Sequence, residues 1–224
     1  MEKKARIKTI LLCCLLAAAQ GCATGSRNAN EPPAASSSAT ASNPAIAPGA
    51  DPLEDITRSM RAQMEVRSFR VRMEFSYSGR DNTRTVEFAA PDRFRMISDK
   101  NEVIIIGPAT YMKGPKGTWQ RMPMDVNAMI QSFRDPQVIE EVRKSTNAKF
   151  IGPDTLDGSP MLVYQYTTSN AFGTNSTSTT KSWISAGDGL PRRLEIDGEI
   201  NSAKARAVNT YYDYNAEIKI EPPM

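Results

Sequence analysis

The sequence predicts an α+β fold built on an antiparallel sheet, and three patterns support this prediction. A helical repeat opens the folded part of the chain, a run in which apolar and polar residues alternate follows it, and further strand-like runs recur with short turns between them. Such short connections suit hairpins, because a crossover between parallel strands needs a dozen or more residues. The order of helix, strands, helices and strands is that of an α+β domain.

The first predicted helix spans residues 51–66. Leu53, Ile56, Met60 and Met64 recur there at spacings of three and four, which places them on one helical face. Acidic residues stand in its first turn, where the helix dipole favours negative charge. An amphipathic helix of this kind is expected to cover an apolar surface of the sheet.

The clearest predicted strand follows this helix at once. Its apolar positions are Phe69, Val71, Met73, Phe75 and Tyr77, and polar or charged residues stand between them. This alternation places one apolar and one charged face on the strand.

Further strands and two short helices complete the predicted element order. Turn residues such as Gly79, Pro91 and Gly107 separate the strands. The strands span residues 84–88, 93–98, 103–106, 109–113 and 118–121 in the first half, and 149–152, 161–167, 180–185, 191–196, 204–213 and 218–220 in the second. Helical periodicity at residues 126–133 and 138–142 interrupts them.

The N-terminus has the pattern of a bacterial lipoprotein signal. Four basic residues lie among the first eight, an apolar stretch too short to span a bilayer follows, and small residues lead to Cys22. We expect residues 1–21 to be a signal peptide and Cys22 to be lipidated. The alternative is an ordinary secretory signal cut near Ala19 or Gly21.

A flexible tether is predicted after the lipidated cysteine. Residues 22–50 are rich in Ala, Ser, Asn and Pro and offer almost nothing to bury, so they cannot offset the entropy cost of ordering. Residues 51–224 have the length of one ordinary domain. The predicted organisation is therefore signal, tether and a single folded domain.

The composition excludes several classes of site. The chain contains no histidine, and Cys13, Cys14 and Cys22 all lie in the signal region. Ser-His-Asp and Cys-His catalysis are therefore excluded, as are nearly all zinc and copper sites. We predict no catalytic residue, no metal and no cofactor, and hence no enzyme.

The net charge argues against a nucleic-acid partner. The formal charge is +3, and the first 21 residues carry four basic residues and one acidic residue, so the remaining chain is formally neutral. Nucleic-acid binding requires a concentrated basic surface.

An apolar sheet face covered by amphipathic helices has two interpretations. The helices can complete an ordinary core, or they can leave a cavity for an apolar ligand. A high methionine content favours the cavity, because methionine adapts to flexible chains. These methionines are Met60, Met64, Met73, Met96, Met122, Met124, Met129 and Met161. The predicted cavity lining comprises Met73, Phe75, Ile105, Trp119, Met129, Phe133, Tyr164 and Trp183.

Several short motifs follow one another in order along the domain. They are Val66-Arg67-Ser68-Phe69-Arg70, Pro91-Asp92-Arg93-Phe94-Arg95-Met96, Val103-Ile104-Ile105-Ile106-Gly107, Ala109-Thr110-Tyr111-Met112-Lys113, Gly117-Thr118-Trp119-Gln120-Arg121, Trp183-Ile184-Ser185, Gly189-Leu190-Pro191-Arg192-Arg193, Tyr212-Asp213-Tyr214-Asn215 and Ile218-Lys219-Ile220-Glu221-Pro222. Their order and spacing resemble the periplasmic lipoprotein-carrier and lipid-binding proteins of the LolA, LolB and LppX/LprG type. The resemblance implies a curved antiparallel half-barrel of about eleven strands, closed by helices over a hydrophobic cavity that holds acyl chains.

The expected function follows from the anchor and the resemblance together. We expect a membrane-anchored envelope lipoprotein that faces the periplasm and binds a lipid or an acylated lipoprotein. Ala23 after the lipidated cysteine favours the outer membrane. The alternative is a sensor or scaffold of the same fold that binds an envelope protein partner. Phe172, a lone aromatic in a polar stretch, is a candidate contact with membrane or partner, or else folds back onto the sheet.

Overall fold

The computed structural model describes residues 46–114, 117–123, 126, 135–169, 176–200 and 203–223. These residues form two helices, α1 (Pro52–Glu65) and α2 (Pro136–Ser145), and an 11-stranded sheet. The strands are β1 (Ser68–Tyr77), β2 (Arg80–Ala89), β3 (Arg93–Ser98), β4 (Glu102–Ile106), β5 (Ala109–Lys113), β6 (Trp119–Met122), β7 (Thr146–Leu156), β8 (Ser159–Ser169), β9 (Ser176–Ser185), β10 (Pro191–Ile200) and β11 (Ala203–Tyr212).

The sheet consists of two meanders joined by its first and last strands. Its spatial order is β6-β5-β4-β3-β2-β1-β11-β10-β9-β8-β7, and the paired strands are antiparallel. Neighbouring strands are consecutive in sequence except at the central pairing of β1 with β11, and β6 and β7 lie at the two opposite edges of the sheet. The predicted α+β fold, an antiparallel half-barrel of about eleven strands, is confirmed.

Helix α1 begins where the sequence provides a complete N-terminal cap. The side chain of Asp51 accepts a hydrogen bond from the Leu53 amide at 2.9 Å, and Pro52 follows in the first turn. The helix ends before Val66, which is already extended. These bounds lie within one residue of the predicted helix.

Helix α1 covers one face of the sheet, which we call the inner face; the opposite face is the outer face. A buried cluster joins the helix to β8 and β9, and we call it the α1 core. It comprises Ile56, Leu162, Tyr164, Ile184 and Ala186. A second buried cluster on the inner face, the β2–β4 core, comprises Phe88, Phe94, Ile105 and Val126.

The outer face carries a ladder of ion pairs across neighbouring strands. Arg70 contacts Glu87 at 2.8 Å and Asp213 at 2.6 Å. Arg95 continues the ladder to Glu87 and Glu102. The charged face predicted for β1 is therefore the outer one, and surface pairs of this kind contribute little stability each.

Two element predictions differ from the structure. Residues 218–220 are not a strand: Ile220 is buried, and its carbonyl accepts a hydrogen bond from Arg93 at 2.7 Å rather than from a neighbouring strand. Apolar and charged residues alternate there, and this alternation predicted a strand. The Ile220 carbonyl is nevertheless bonded by the Arg93 side chain and not by the backbone of a neighbouring strand. The packed chain also begins earlier than predicted, because the Ile46 amide donates to the Ala186 carbonyl. Of the predicted helix at residues 126–133, only Val126 lies within the described residues.

Candidate functional site

An apolar band lies on the inner face, toward the turn that joins β1 to β2. We define it as Met73, Phe75, Tyr77, Ile196, Ala205 and Ala207, all half-buried. Strand pairing assembles it: Phe75 is paired with Ala207 and Ala207 with Ile196, while Tyr77 is paired with Ala205. Because directly paired residues of an antiparallel sheet point to the same face, these side chains form one continuous surface.

Large and small side chains meet side by side in this band. The rings of Phe75 and Tyr77 are stacked with centroids 6.3 Å apart. The β11 residues facing them are alanines, and Gly198 follows on β10. A Cβ atom at Gly198 would lie 2.5 Å from the Thr177 carbonyl oxygen, so this position excludes a larger residue. The alanines and the glycine therefore leave a trough beside the two aromatic rings.

The predicted lining residues on the inner face belong to two different environments. Met73 and Phe75 lie in the half-buried apolar band. Ile105 is 1% exposed within the β2–β4 core, and Tyr164 is 1% exposed within the α1 core. The structure therefore brings Met73 and Phe75 together on an accessible surface, whereas Ile105 and Tyr164 are buried in separate clusters on strands to either side of the band.

The prediction that Trp119 and Trp183 line the same surface is wrong. Trp183 is paired with Val163 and packs with Met161 on the outer face, where its indole N–H donates to Asp154 at 2.9 Å. Trp119 is paired with Lys113 on the edge strand β6, and the Lys113 ammonium lies 5.6 Å from its ring centroid. Both tryptophans have charged neighbours because they belong to the charged face of the sheet.

The remaining predicted site residues lie outside the described part of the chain. They are Cys22, Met129, Phe133 and Phe172. Their roles stay predictions.

Tyr164 forms part of a buried polar cluster that joins α1 to β8. Its hydroxyl donates to the Asp55 carboxylate at 2.8 Å, and the Gly49 amide donates to the same carboxylate at 2.7 Å. Arg58 pairs with Asp55 from the next turn of the helix. Burial and the neighbouring carboxylate raise the pKa of Tyr164, so the hydroxyl keeps its proton. These bonds fasten α1 and the chain before it to β8.

The β2 side of the band has a polar border that the sequence analysis did not single out. Arg80, Asn82 and Arg84 are paired with Tyr77, Phe75 and Met73, respectively. They occupy the inner-face positions of β2, as Phe88 does further along the strand. The alternation of β1 shows which of its residues face inward, and the β1–β2 register then shows which β2 residues share that face. The sequence does not give this register, so these three residues were not predicted.

A separate depression near the sheet edge differs in chemistry from the band. It has a volume of about 410 Å³ and lies along β7 and β8, with Asn147, Lys149, Gln165 and Thr167 in its wall. Polar walls of this kind do not suit an acyl chain.

Within the described ranges, no group of three or more carboxylate, histidine or cysteine side chains could hold a metal ion. Neither described helix is long and apolar enough to cross a bilayer.

Thr110 offers a stability test of the inner face. Its side chain is 3% exposed beside Ile105 and Met122, and its hydroxyl has no hydrogen-bond partner among the residues that the structure describes. Replacing Thr110 with valine keeps the shape and removes the unsatisfied group, so we expect about 1 kcal/mol more stability. Thermal unfolding should shift upward by roughly 2–4 °C. An unchanged or lower melting temperature would contradict this expectation.

Comparison with solved structures identifies the fold. No family model matches the sequence, and no curated protein matches it significantly. The crystal structure of the Mycobacterium tuberculosis lipoprotein LppX aligns with a TM-score of 0.58 at 15% identity, covering 75% of this chain and 97% of that one. LprF from Mycobacterium bovis aligns with a TM-score of 0.58 at 16% identity, covering 79% and 98%. This chain has the LppX and LprF fold.

The LppX-like fold confirms the resemblance inferred from the motifs. The alignment spans nearly the whole of both solved proteins, so the similarity concerns a complete domain rather than one motif. The complex of MucA and MucB from Pseudomonas aeruginosa aligns with a TM-score of 0.46 at 16% identity, covering 75% of this chain and 56% of that one. On the LppX-like sheet of this chain, the apolar band lies over the central pairing of β1 with β11.

Proposed function

We propose that this protein is an envelope lipoprotein that binds the acyl chains of a lipid or an acylated protein on its apolar band. The observation that carries this proposal is the band itself. Apolar side chains on the inner face of an ordinary domain are expected to be buried in a core, yet Met73, Phe75 and Tyr77 remain half-buried. The LppX-like fold supports the same interpretation.

The energetics of lipid transfer give such a surface a purpose. A two-chain lipid exposes on the order of thirty methylenes in water, each at roughly 0.8 kcal/mol, so its unaided escape from a membrane is negligible. The trough between the aromatic rings of Phe75 and Tyr77 and the alanines of β11 removes part of a chain from water. Met73 adds a flexible side chain that adapts to chains of different shape. Binding rather than catalysis is the proposed activity.

The proposed anchor sets where this binding occurs. Lipidation at Cys22 would leave the segment between Cys22 and Ile46 as a tether with a root-mean-square reach of roughly 30 Å. The domain would then collect or deliver its cargo close to one membrane rather than diffuse between two. We place it on the periplasmic side of the outer membrane, on the grounds of the signal sequence and Ala23.

Met73 and Glu74 provide a matched pair of variants, because they are adjacent on β1 and point to opposite faces. The mature chain would carry Cys22→Ser, so that it can be purified without detergent, and native mass spectrometry would measure bound lipid. We expect Met73→Lys to lower lipid occupancy at least about tenfold, because a charge on the band must be desolvated when a chain binds. Glu74→Lys should retain the occupancy of the unmodified protein.

Circular dichroism of both variants would separate lost binding from lost folding. A folded Met73→Lys protein with undiminished lipid would contradict the assignment of the band. An unmodified protein that takes up no lipid from vesicles would contradict lipid binding altogether.

A further inference from the structure

Asn209 carries a buried polar atom that lacks a hydrogen-bond partner. The residue is 9% exposed, and among the residues that the structure describes none donates to its side-chain oxygen. An amide oxygen buried in this way costs free energy, because it has left water without gaining a donor in exchange. Native proteins bury few such atoms, and a ligand that supplies the missing donor is a physical reason to keep one.

Strand pairing places this amide at one end of the apolar band. Asn209 is paired with Met73 on β1 and with Leu194 on β10, so the three side chains share the inner face. Ala207, two residues earlier on β11, already belongs to the band. Met73 and Leu194 are both half-buried, so a chain that lies on the band can reach the amide.

Helix α1 reaches the sheet at this end of the band. The hydroxyl of Tyr211, the next inner-face residue of β11, is hydrogen-bonded by the side chains of Asn209 and of Gln63, which belongs to the last turn of α1. Because the oxygen of Asn209 is unpaired, its bond to Tyr211 uses the amide nitrogen. This bond fixes the amide, so the oxygen cannot find a partner by rotating without losing the bond.

The unpaired hydroxyl of Thr110 has different surroundings. Thr110 is paired with Ile105, which is 1% exposed in the β2–β4 core, so no ligand can approach it. Asn209 adjoins the half-buried side chains of the band instead. The polar atom of Thr110 is therefore a packing defect, whereas that of Asn209 is placed to meet a ligand.

The chemistry of the ligand follows from the acceptor. An amide oxygen needs an O–H or N–H donor, and a plain hydrocarbon chain, an ester, an ionised carboxylate and a phosphodiester have none. The apolar neighbours Met73 and Leu194 disfavour a charged or strongly hydrated group at this depth. A single hydroxyl on an otherwise apolar chain supplies one donor and no charge.

We propose that the apolar band binds an acyl chain that carries a hydroxyl group, and that this hydroxyl donates to the side-chain oxygen of Asn209. This inference rests on the proposed function and specifies its ligand class. The unsubstituted part of the chain lies beside Phe75, Tyr77 and the alanines of β11, and the hydroxyl lies at the α1 end of the band. Asn209 therefore determines which chain is preferred, while the band supplies the binding itself.

The test compares fatty acids that differ only in a hydroxyl. Isothermal titration calorimetry of the mature chain with Cys22→Ser would measure the affinity for stearate and for 3-, 10- and 12-hydroxystearate. We expect at least one hydroxystearate to bind about threefold to tenfold more tightly than stearate, which is the effect of one neutral hydrogen bond. Equal or weaker binding of all three would overturn this inference and leave acyl-chain binding intact.

Asn209→Leu should abolish this preference. The variant replaces the amide with an apolar side chain of similar size, so it should bind stearate at least as tightly as the unmodified protein and the preferred hydroxystearate no more tightly than stearate. A merely structural role of Asn209 would instead change both affinities by the same factor. A folded Asn209→Leu protein that keeps the preference would overturn the proposal.

Asn82→Leu is the matched control, because it makes the same substitution on the same face. Asn82 is half-buried and paired with Phe75, but its side-chain oxygen already accepts a hydrogen bond from the Nε–H of Arg84 at 2.9 Å. The preference for the hydroxystearate should persist in this variant. Its loss in both variants would indicate a general disturbance of the band and overturn the assignment to Asn209.

A ligand-side comparison keeps the proposal testable if Asn209→Leu does not fold. The methyl ether of the preferred hydroxystearate keeps the oxygen but cannot donate a hydrogen bond. We expect the unmodified protein to bind this ether no more tightly than stearate. An ether that binds as tightly as the hydroxystearate would overturn the proposed hydrogen bond.

Two further outcomes separate the source of the hydroxyl from the function on which this inference rests. Monostearoylglycerol carries its hydroxyls on the headgroup and none on the chain. A preference for it over methyl stearate, with no preference for any hydroxystearate, would assign the donor to a headgroup and overturn the chain-borne hydroxyl. Binding of none of these lipids would overturn both this inference and the proposed lipid binding.

Discussion

Replacing Phe88 with alanine should lower the free energy of unfolding by about 3–5 kcal/mol. The Phe88 side chain is 0% exposed, and its ring centroid lies 5.0 Å from that of Phe94 and 5.2 Å from that of Phe69. Removing the ring leaves a cavity among β1, β2 and β3 that rigid strands cannot close. Because domains of this size are stable by only about 5–15 kcal/mol, the loss is a large share of the total. Urea unfolding followed by circular dichroism would measure it.

Phe75→Ala is the matched control for this change. The same ring is removed, but from the half-buried apolar band rather than from the core. We expect a loss of no more than about 1.5 kcal/mol, since the side chain is already partly in water. Similar losses at the two positions would mean that the band is ordinary core, which would also weaken the case for lipid binding.

The protein should lose stability steeply above about pH 10, where tyrosine in an unfolded chain ionises. Burial raises the pKa of Tyr164, Tyr166, Tyr211 and Tyr214, and that of Tyr166 reaches about 12. Two of their hydroxyls also donate to oxygen acceptors, Tyr164 to Asp55 and Tyr214 to the Pro191 carbonyl. The folded state therefore stabilises the neutral, protonated form of these tyrosines.

The direction of this pH dependence follows from the number of protons that the folded and the unfolded chain bind. Between about pH 10 and pH 12 the unfolded chain loses the Tyr166 proton while the folded chain keeps it, so rising pH favours unfolding. Below about pH 10 these tyrosines are protonated in both the folded and the unfolded chain, so their full contribution to stability is present. Tyr166 contributes about 1.4 kcal/mol per pH unit within this window, and the other buried tyrosines act in the same direction.

Urea unfolding at a series of alkaline pH values would measure this slope, and tyrosinate absorbance would report ionisation. Tyr166→Phe should reduce the slope by about 1.4 kcal/mol per pH unit. Ionisation of these tyrosines well before unfolding, or an unchanged slope in the variant, would contradict the expectation.

The sequence predicted the faces of β1 because that strand alternates without interruption. Met73 and Phe75 lie on the inner face as the alternation requires, and strand pairing then carries the face to its neighbours. Helix α1 was equally predictable, since its cap and its apolar repeat indicate the same boundaries. The resemblance to LppX-like proteins supplied the half-barrel, which periodicity alone does not specify.

The tryptophans show where this reasoning fails. In β9, Trp183 and Ile184 are adjacent, so each face of the strand receives a large apolar residue. The inner positions of the same strand include Thr180 and Ser182, which are small and polar but buried. A rule that places apolar residues inside selects the wrong face here, and a shift of one residue reverses every side chain. The polar border of β2 was missed for the same reason: its inner residues are charged.

The pairing of β1 with β11 also governs the order in which this chain can fold. Each meander is made of neighbouring hairpins that form through local contacts, whereas the central pairing joins residues 70–77 to residues 205–212, which are far apart along the chain. Contacts so distant along the chain are slow to form, and an unpaired strand edge is prone to aggregate. Until residues 203–212 have been made, β1 exposes one edge beside its apolar side chains. We therefore expect the chain to need protection from aggregation until β11 has paired with β1.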